Sequence, residues 1–302
     1  MTQTNLKTRD ISTVIDDRAF LECPRWHEDR LWVSDLYAHE VLSIGQSGDL
    51  RVEAQIPNQP SGLGWLPDGR LLIVSMLDRK ILRREHSGEL VVHADLSALS
   101  PTKINDMVVD GFGRAWVGSF GFEFRSTSAV EPADLIRIDP DGTVSIAATG
   151  LRFPNGAVVT PEGVLVVAES MGNRLTAFDI ADNGDLTNRR TWAVFGDDVP
   201  MSSVADAMAA SSVAPDGICL DAEGAIWVAD ALNRRLVRVR ESAGIVDEIP
   251  FETGVFACML GGTDGRTLYA CASPSSSEHK RAHTRDASML AVRVEIPHAG
   301  KP

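Results

Sequence analysis

One phrase is written six times along this chain: a strand opened by a polar or small residue, a tight turn, then a second strand that is almost entirely apolar. Its clearest copy is Pro215-Asp216-Gly217-Ile218-Cys219-Leu220-Asp221, followed by the turn Ala222-Glu223-Gly224 and the strand Ala225-Ile226-Trp227-Val228-Ala229. The other second strands begin at Leu31, Leu71, Ala115, Val164 and Thr267, and five of the six follow a glycine-containing turn. Such turns join adjacent antiparallel strands, with glycine supplying the positive φ. Each copy continues with a third strand of alternating character, such as Lys80-Ile81-Leu82-Arg83-Arg84, and most have a further turn and an outer strand. The spacing at the shared valine runs from 41 residues (Val33 to Val74) to 61 (Val167 to Val228). Four short strands repeating every 40 to 50 residues or so describe a β-propeller. Six copies make it an all-β, six-bladed propeller with four antiparallel strands per blade.

The six copies fill the chain, so one domain over 1–302 is expected, with blades near 16–56, 57–100, 101–150, 151–198, 213–252 and 253–296. The last copy has no outer strand after it, while Asp10-Ile11-Ser12-Thr13-Val14-Ile15 is a strand with no copy before it. Pairing the N-terminal strand (9–15) into the last blade would close the ring and remove exposed edges. Two polar stretches interrupt the repeat. Phe195 to Ser212 reads equally as a flap over one end of the channel or a surface insertion; Ser273 to Asp286 reads as a solvated loop, although His279 and His283 have a metal-pair spacing.

Composition excludes several classes. With a formal charge of −13, the chain lacks the basic excess that phosphate binding requires, so nucleic acid is not its partner. No apolar run of membrane-spanning length occurs, and Met1 to Asp10 is polar, so the expectation is a cytoplasmic protein with a small-molecule substrate, no membrane partner, and a monomeric or weakly oligomeric state. Cys23, Cys219, Cys258 and Cys271 have no CxxC spacing and read as buried small hydrophobes.

In a propeller the first strand of each blade lines the central channel, and its start faces the common mouth. At the equivalent position four blades place Glu22, Asn105, Asn155 and Asp216. Two carboxylates and two amides form a hard-oxygen set suited to one divalent cation, with calcium preferred and magnesium, manganese or zinc as alternatives. Against this, Asp-Gly and Asn-Gly are common turn pairs, so any one of these residues alone reads as a turn former.

The motifs Leu21-Glu22-Cys23-Pro24-Arg25-Trp26, Asn105-Asp106 with Gly113-Arg114, Phe153-Pro154-Asn155-Gly156, and Pro215-Asp216-Gly217-Ile218-Cys219-Leu220-Asp221 with Gly224 and Trp227 together resemble the SMP-30/gluconolactonase/luciferin-regenerating-enzyme family. The resemblance runs from about Phe20 to Tyr269. It implies a six-bladed propeller with one divalent metal held by Glu22, Asn155 and Asp216. Asn105 matches a residue that contacts substrate or metal-associated water. Lys103 stands where the family has a substrate-orienting arginine, and Glu123 falls at the spacing of a substrate-contacting acid. Lysine keeps a point charge but loses the planar fork. With Phe120, Phe122 and Phe124 nearby, this shifts the expectation from a sugar lactone toward a less polar substrate.

The implied activity is metal-dependent opening of a small lactone, with the carbonyl polarised by the cation and Asp216 as general base for water, or alternatively as nucleophile. Two other readings remain open: phosphotriester or fluorophosphate hydrolysis at the same site, and a non-catalytic calcium-binding interaction module. Of the remaining candidates, Asp106 and Asp221 read as supporting or turn residues, His27 as a surface or satisfied histidine, and Trp32, Trp116 and Trp227 as core between blades. Gly118-Ser119-Phe120-Gly121 is misspaced for a nucleophile elbow.

Overall fold

The second strand of each blade is apolar on both faces because a neighbouring blade covers each face. Leu71–Ser75, Ala115–Ser119 and Ile226–Asp230 are buried at every residue. A computed structural model, which describes residues 9–300, arranges the chain as six four-stranded antiparallel sheets. Five sheets are consecutive in sequence; the sixth takes three strands from the C-terminal part and its outer strand from Ile11–Arg18, which pairs antiparallel with Ala287–Arg293. The expected closing strand therefore exists and extends past residue 15, bent by two irregularities at Thr13/Ile15 and Ile15/Arg18. Residues 1–8, to which most of the polar N-terminal reading applied, lie outside the described residues.

Within each blade burial falls from centre to rim. The outer strand Leu50–Gln55 is mostly exposed, whereas the inner strand Pro60–Trp65 is buried over its first five residues. The core lies between blades. One cluster joins Leu72, Val74 and Ile81 of blade 2 to Met107, Val117 and Ile136 of blade 3; burying side chains of this size contributes roughly 1.5–3 kcal/mol each. Trp116 and Trp227 pack in such interblade clusters. The turns before the second strands use the conformation expected of them, with φ between 71° and 85° at Gly69, Gly113, Gly163, Gly224 and Gly265. The first blade makes the same turn without glycine: Glu28 and Asp29 take φ of 47° and 58°. Among the described residues no helix is long and apolar enough to cross a membrane.

Candidate functional site

The chemistry-bearing residues sit where every inner strand breaks register in the same way. In blade 1 Glu22 pairs with Ser34 but Arg25 with Trp32; in blade 4 Pro154 pairs with Glu169 but Ala157 with Val167; in blade 5 Pro215 pairs with Asp230 but Ile218 with Val228. Each inner strand thus holds one extra residue, and the other three blades repeat the irregularity. A bulge of this kind re-aims the side chains beside it. It turns Glu22, Asn105, Asn155, Asp216 and Phe256 to the floor of one cavity of about 930 Å³ at the channel mouth. The sixth equivalent, Ser61, is fully buried behind them.

The glycines after Asn155 and Asp216 are not turn residues. Gly156 and Gly217 lie within strands, and neither has the left-handed backbone of a turn glycine. They allow close approach of adjacent blades: a Cβ on Gly156 would meet the Asp216 carbonyl oxygen at 2.6 Å, and one on Gly217 would meet the Ala257 Cβ at 2.5 Å. The missing side chain is what draws the inner strands together and brings the four oxygen-bearing residues within one site.

A hydrogen-bonded belt orders these side chains. The Ser61 hydroxyl donates to Asn105 Oδ1 (3.3 Å), Asn105 Nδ2 to Asn155 Oδ1 (2.9 Å), and Asn155 Nδ2 to Ser170 Oγ (3.0 Å), which donates to the Pro215 carbonyl (2.7 Å). Asp216 accepts hydrogen bonds from the Asn155 side chain and the Gly217 backbone N–H. Glu22 accepts from the Cys23 N–H at 3.2 Å.

Below lies a third carboxylate, Asp106, whose ion pair with Arg25 is 2.7 Å long and has both side chains buried. The Arg25 guanidinium is spent there, since it also donates to the Met107 and Pro24 carbonyls. Three carboxyl groups share one guanidinium, so two of them have no cationic partner. Burial, then the charges of Asp216 and Asp106, push Glu22 well above the usual carboxylate range. Burial and the Asp106 charge push Asp216 up to about 8, against the two hydrogen bonds that hold it down. Among the described residues no group of three His, Cys, Asp or Glu gathers as a ligand cluster, so a cation on Glu22 and Asp216 would draw its other oxygens from Asn155, Asn105 and water.

Above the floor, in five of the six blades the residue just before the inner strand, two places before the shared position, also reaches the cavity, at Gln59 and Phe153 through a left-handed backbone. Phe20, Gln59, Lys103, Phe153 and Ala214 all line the cavity. The residues just after the second strands form the next course: Leu36, Met76, Phe120, Ser170 and Ala231. The two insertions close in from the sides. Phe195 to Ser212 contains helix α1 (Val204–Ala210), whose Val204 and Ala207 pack against Phe122, Val130 and Phe153 while Met208 reaches the cavity. Ser273 to Asp286 contains the short helix α2 (Glu278–Arg281), which rests on the rim: Glu278 accepts a hydrogen bond from Gln59 Nε2 (2.8 Å) and pairs with Lys103 Nζ (3.6 Å), and the Tyr37 hydroxyl donates to the Ser276 carbonyl. His279 and His283 touch the cavity from this rim and are otherwise exposed.

Glu22, Asn105, Asn155, Asp216 and Lys103 are therefore brought together, and Glu123 is not. Burying Phe122 against Val130 and Phe153 turns the neighbouring Glu123 outward, where its side chain is 75% exposed and 3.9 Å from Arg125. The acid that does reach the mouth is Glu278. Asp106 supports the floor, whereas Asp221 is a turn residue that accepts from Glu223 and Ala225 N–H and pairs with Arg238. His27 stacks on Trp65 with ring centroids 3.9 Å apart.

A family profile described as the SMP-30/gluconolactonase/LRE-like region matches residues 20–273. The chain is 24% identical to a 6-deoxy-6-sulfogluconolactonase of Pseudomonas putida, covering 93% of each chain, and 25% identical to a pentonolactonase of Haloferax volcanii, covering 97% of this chain and 96% of the other. Among solved structures it superposes on a calcium-binding protein, regucalcin, from Agrobacterium tumefaciens with a TM-score of 0.77 at 17% identity, over 98% of this chain and 97% of that one.

Proposed function

The chain is a member of the SMP-30/gluconolactonase/LRE-like family, and from that premise we propose that it is a divalent-cation-dependent hydrolase that opens a small lactone. One observation carries the reading: the channel floor gathers three carboxyl groups with one guanidinium, and the two acids without a cationic partner, both pushed up in pKa, face a cavity large enough for a substrate. Near-full-length relatives named as lactonases supply the reaction class, and the structural likeness to a calcium-binding protein agrees with the donor set.

Glu22, Asn155 and Asp216 would hold the cation, with Asn105 beside them. All are hard-oxygen donors, which suits Ca²⁺ first, Mg²⁺ or Mn²⁺ next, and Zn²⁺ least. When bound, the cation supplies Lewis-acid stabilisation of the charge that develops on the lactone carbonyl oxygen. Asp216 would be the general base: a cation held beside it would favour its ionised form, and Asn155 and Gly217 would keep the carboxylate in place to take a proton from the attacking water. Asn105, fixed between Ser61 and Asn155, presents its amide to the substrate. Lys103, whose rim pair with Glu278 is half exposed, would exchange that partner for the carboxylate that ring opening creates. Four free buried cysteines, two with sulfurs 3.8 Å apart and unjoined, suit a reducing cytoplasm.

The test is hydrolysis of sugar and aliphatic lactones by wild type and Asp216→Ala, after chelation and after readdition of each cation. The expected result is turnover that disappears with chelator, returns with a divalent ion and is absent from the variant. Cation binding without lactone turnover, but with phosphotriester hydrolysis, would transfer the site to the second reading. No cation binding at all would leave a non-catalytic propeller.

A further inference from the structure

We infer that the lactone opened here carries an apolar alkyl or aryl arm, so that this protein selects against polyhydroxylated rings; the inference rests on the proposed lactonase reading of the same site. The polar groups of the cavity lie in two layers. The floor has Glu22, Asn105, Asn155 and Asp216, and the roof has Gln59, Lys103, Glu278 and the residues around it. Much of the wall between them is hydrocarbon. On one side Phe120, Phe124, Phe153, Met171 and Met208 line it; on the other stand Phe20, Leu36 and Met76, above Phe256 of the floor. The first group is a built surface. Phe120 stacks on Phe153 with centroids 4.3 Å apart, Phe124 meets Phe153 at 6.0 Å, and Phe153, Met171 and Met208 belong to one apolar cluster with helix α1.

Three properties of this wall point the same way. First, a sugar lactone bound to the floor would turn its ring hydroxyls toward phenyl rings and thioethers, which strip their water and return at most a weak hydrogen bond. The wall's one phenol, Tyr37, already donates to Ser276. Second, three of the roof's polar groups are engaged with one another, Glu278 with both Gln59 and Lys103, which leaves hydroxyl-reading capacity only at the outer rim, on Ser275, Ser277, His279 and His283. Third, the cavity of about 930 Å³ stands near the top of the range of about 300–1,000 Å³ that holds drug-sized ligands, far more than a six-carbon lactone fills. Phe153 adds a local sign of the same demand. It holds a left-handed backbone at φ 55°, uncommon for a bulky residue, and its ring lies centrally in the aromatic wall.

The arm would lie along Phe120, Phe124 and Met208 while the ring carbonyl meets the floor. Phe124 and Met208 are the residues to change, because neither is buried and their replacement spares the core. The experiment compares kcat/KM for a 5-alkyl-δ-valerolactone and for glucono-δ-lactone, in wild type and in Phe124→Gln/Met208→Gln, with Ca²⁺ present. In parallel, the Kd of the matching non-hydrolysable δ-lactams, alkylated and polyhydroxylated, is measured calorimetrically. The expected results are an alkyl preference of about tenfold or more in wild type, and a ratio that falls by about tenfold in the double variant, the scale of one or two lost apolar contacts. A wild-type preference for the polyhydroxylated ring, or a ratio unmoved by the double variant, overturns the inference. If neither lactone is opened, the hydrolase reading fails, and the lactam Kd values still decide the preference of the wall.

Discussion

Replacing Asp216 by asparagine should make the cation-free protein more stable, although the residue lies at the centre of the proposed site. Asparagine keeps the shape and can still bond to Asn155, but it carries no charge into a floor that already holds Glu22 and Asp106. The Asp216 carboxyl is pushed up to about 8 in the folded protein from an ordinary 3.8. Between those values the folded chain holds a proton that the unfolded chain has released, so stability falls as pH rises through the window, by at most about 1.4 kcal/mol per pH unit. At pH 7 this sets a ceiling of about 4 kcal/mol. Because the strain is shared with Glu22 and both carboxylates keep a face open to the cavity, the expected gain from Asp216→Asn at pH 7–8 is about 1–3 kcal/mol, or about 2–8 °C in Tm. Calorimetry in chelator at pH 5 and pH 8 measures it: the variant should lead at pH 8, and the lead should shrink at pH 5. Saturating Ca²⁺ should reverse the order, because a ligand at about 100 times its Kd stabilises the protein that binds it by about 2.7 kcal/mol. A variant less stable than wild type at pH 8 in chelator, or a wild-type stability that is flat from pH 5 to 8, would refute the charge argument.

Arg25→Met removes the single guanidinium from the floor and strands Asp106 in a buried site; urea unfolding should show a loss of about 3–5 kcal/mol, partly recovered in Arg25→Met/Asp106→Leu. Gly217→Ala should cost far more activity than its size implies, since the new methyl meets Ala257 and must displace the strand that carries Asp216; kcat for the best lactone is the readout, and a near-normal kcat would contradict the close-approach role. Glu278→Ala breaks a pair whose side chains are 44% and 50% exposed, so Tm should move by no more than about 1 °C. Its effect should appear as a changed KM with kcat held, and a large drop in Tm would instead make residues 273–286 part of the structural core.

The six-bladed ring was legible because one strand register is repeated, and the floor followed from that register: Glu22, Asn105, Asn155 and Asp216 share a position. The tier above them was equally legible in principle. Stepping back two residues in four more blades, not only from Asn105 to Lys103, yields Phe20, Gln59, Phe153 and Ala214, with part of the apolar wall in view. The roof was not legible, because insertions carry no register; nothing in Ser273 to Asp286 says that Glu278 will come to rest against Gln59 and Lys103. Arg25 was hidden for a different reason. Counting alternately from Glu22 sends Arg25 to the opposite face of the strand, and by that count it belongs away from the channel. The extra residue in the bulge reverses the parity, so Arg25 and Glu22 end on the same side and the guanidinium reaches Asp106. The irregularity that aims the proposed ligands into the cavity also brings in the one positive charge that partly offsets them. That two acids are left without a cationic partner is therefore a property of the bulged backbone, which is why a metal site could be argued from the structure and not from the motif alone.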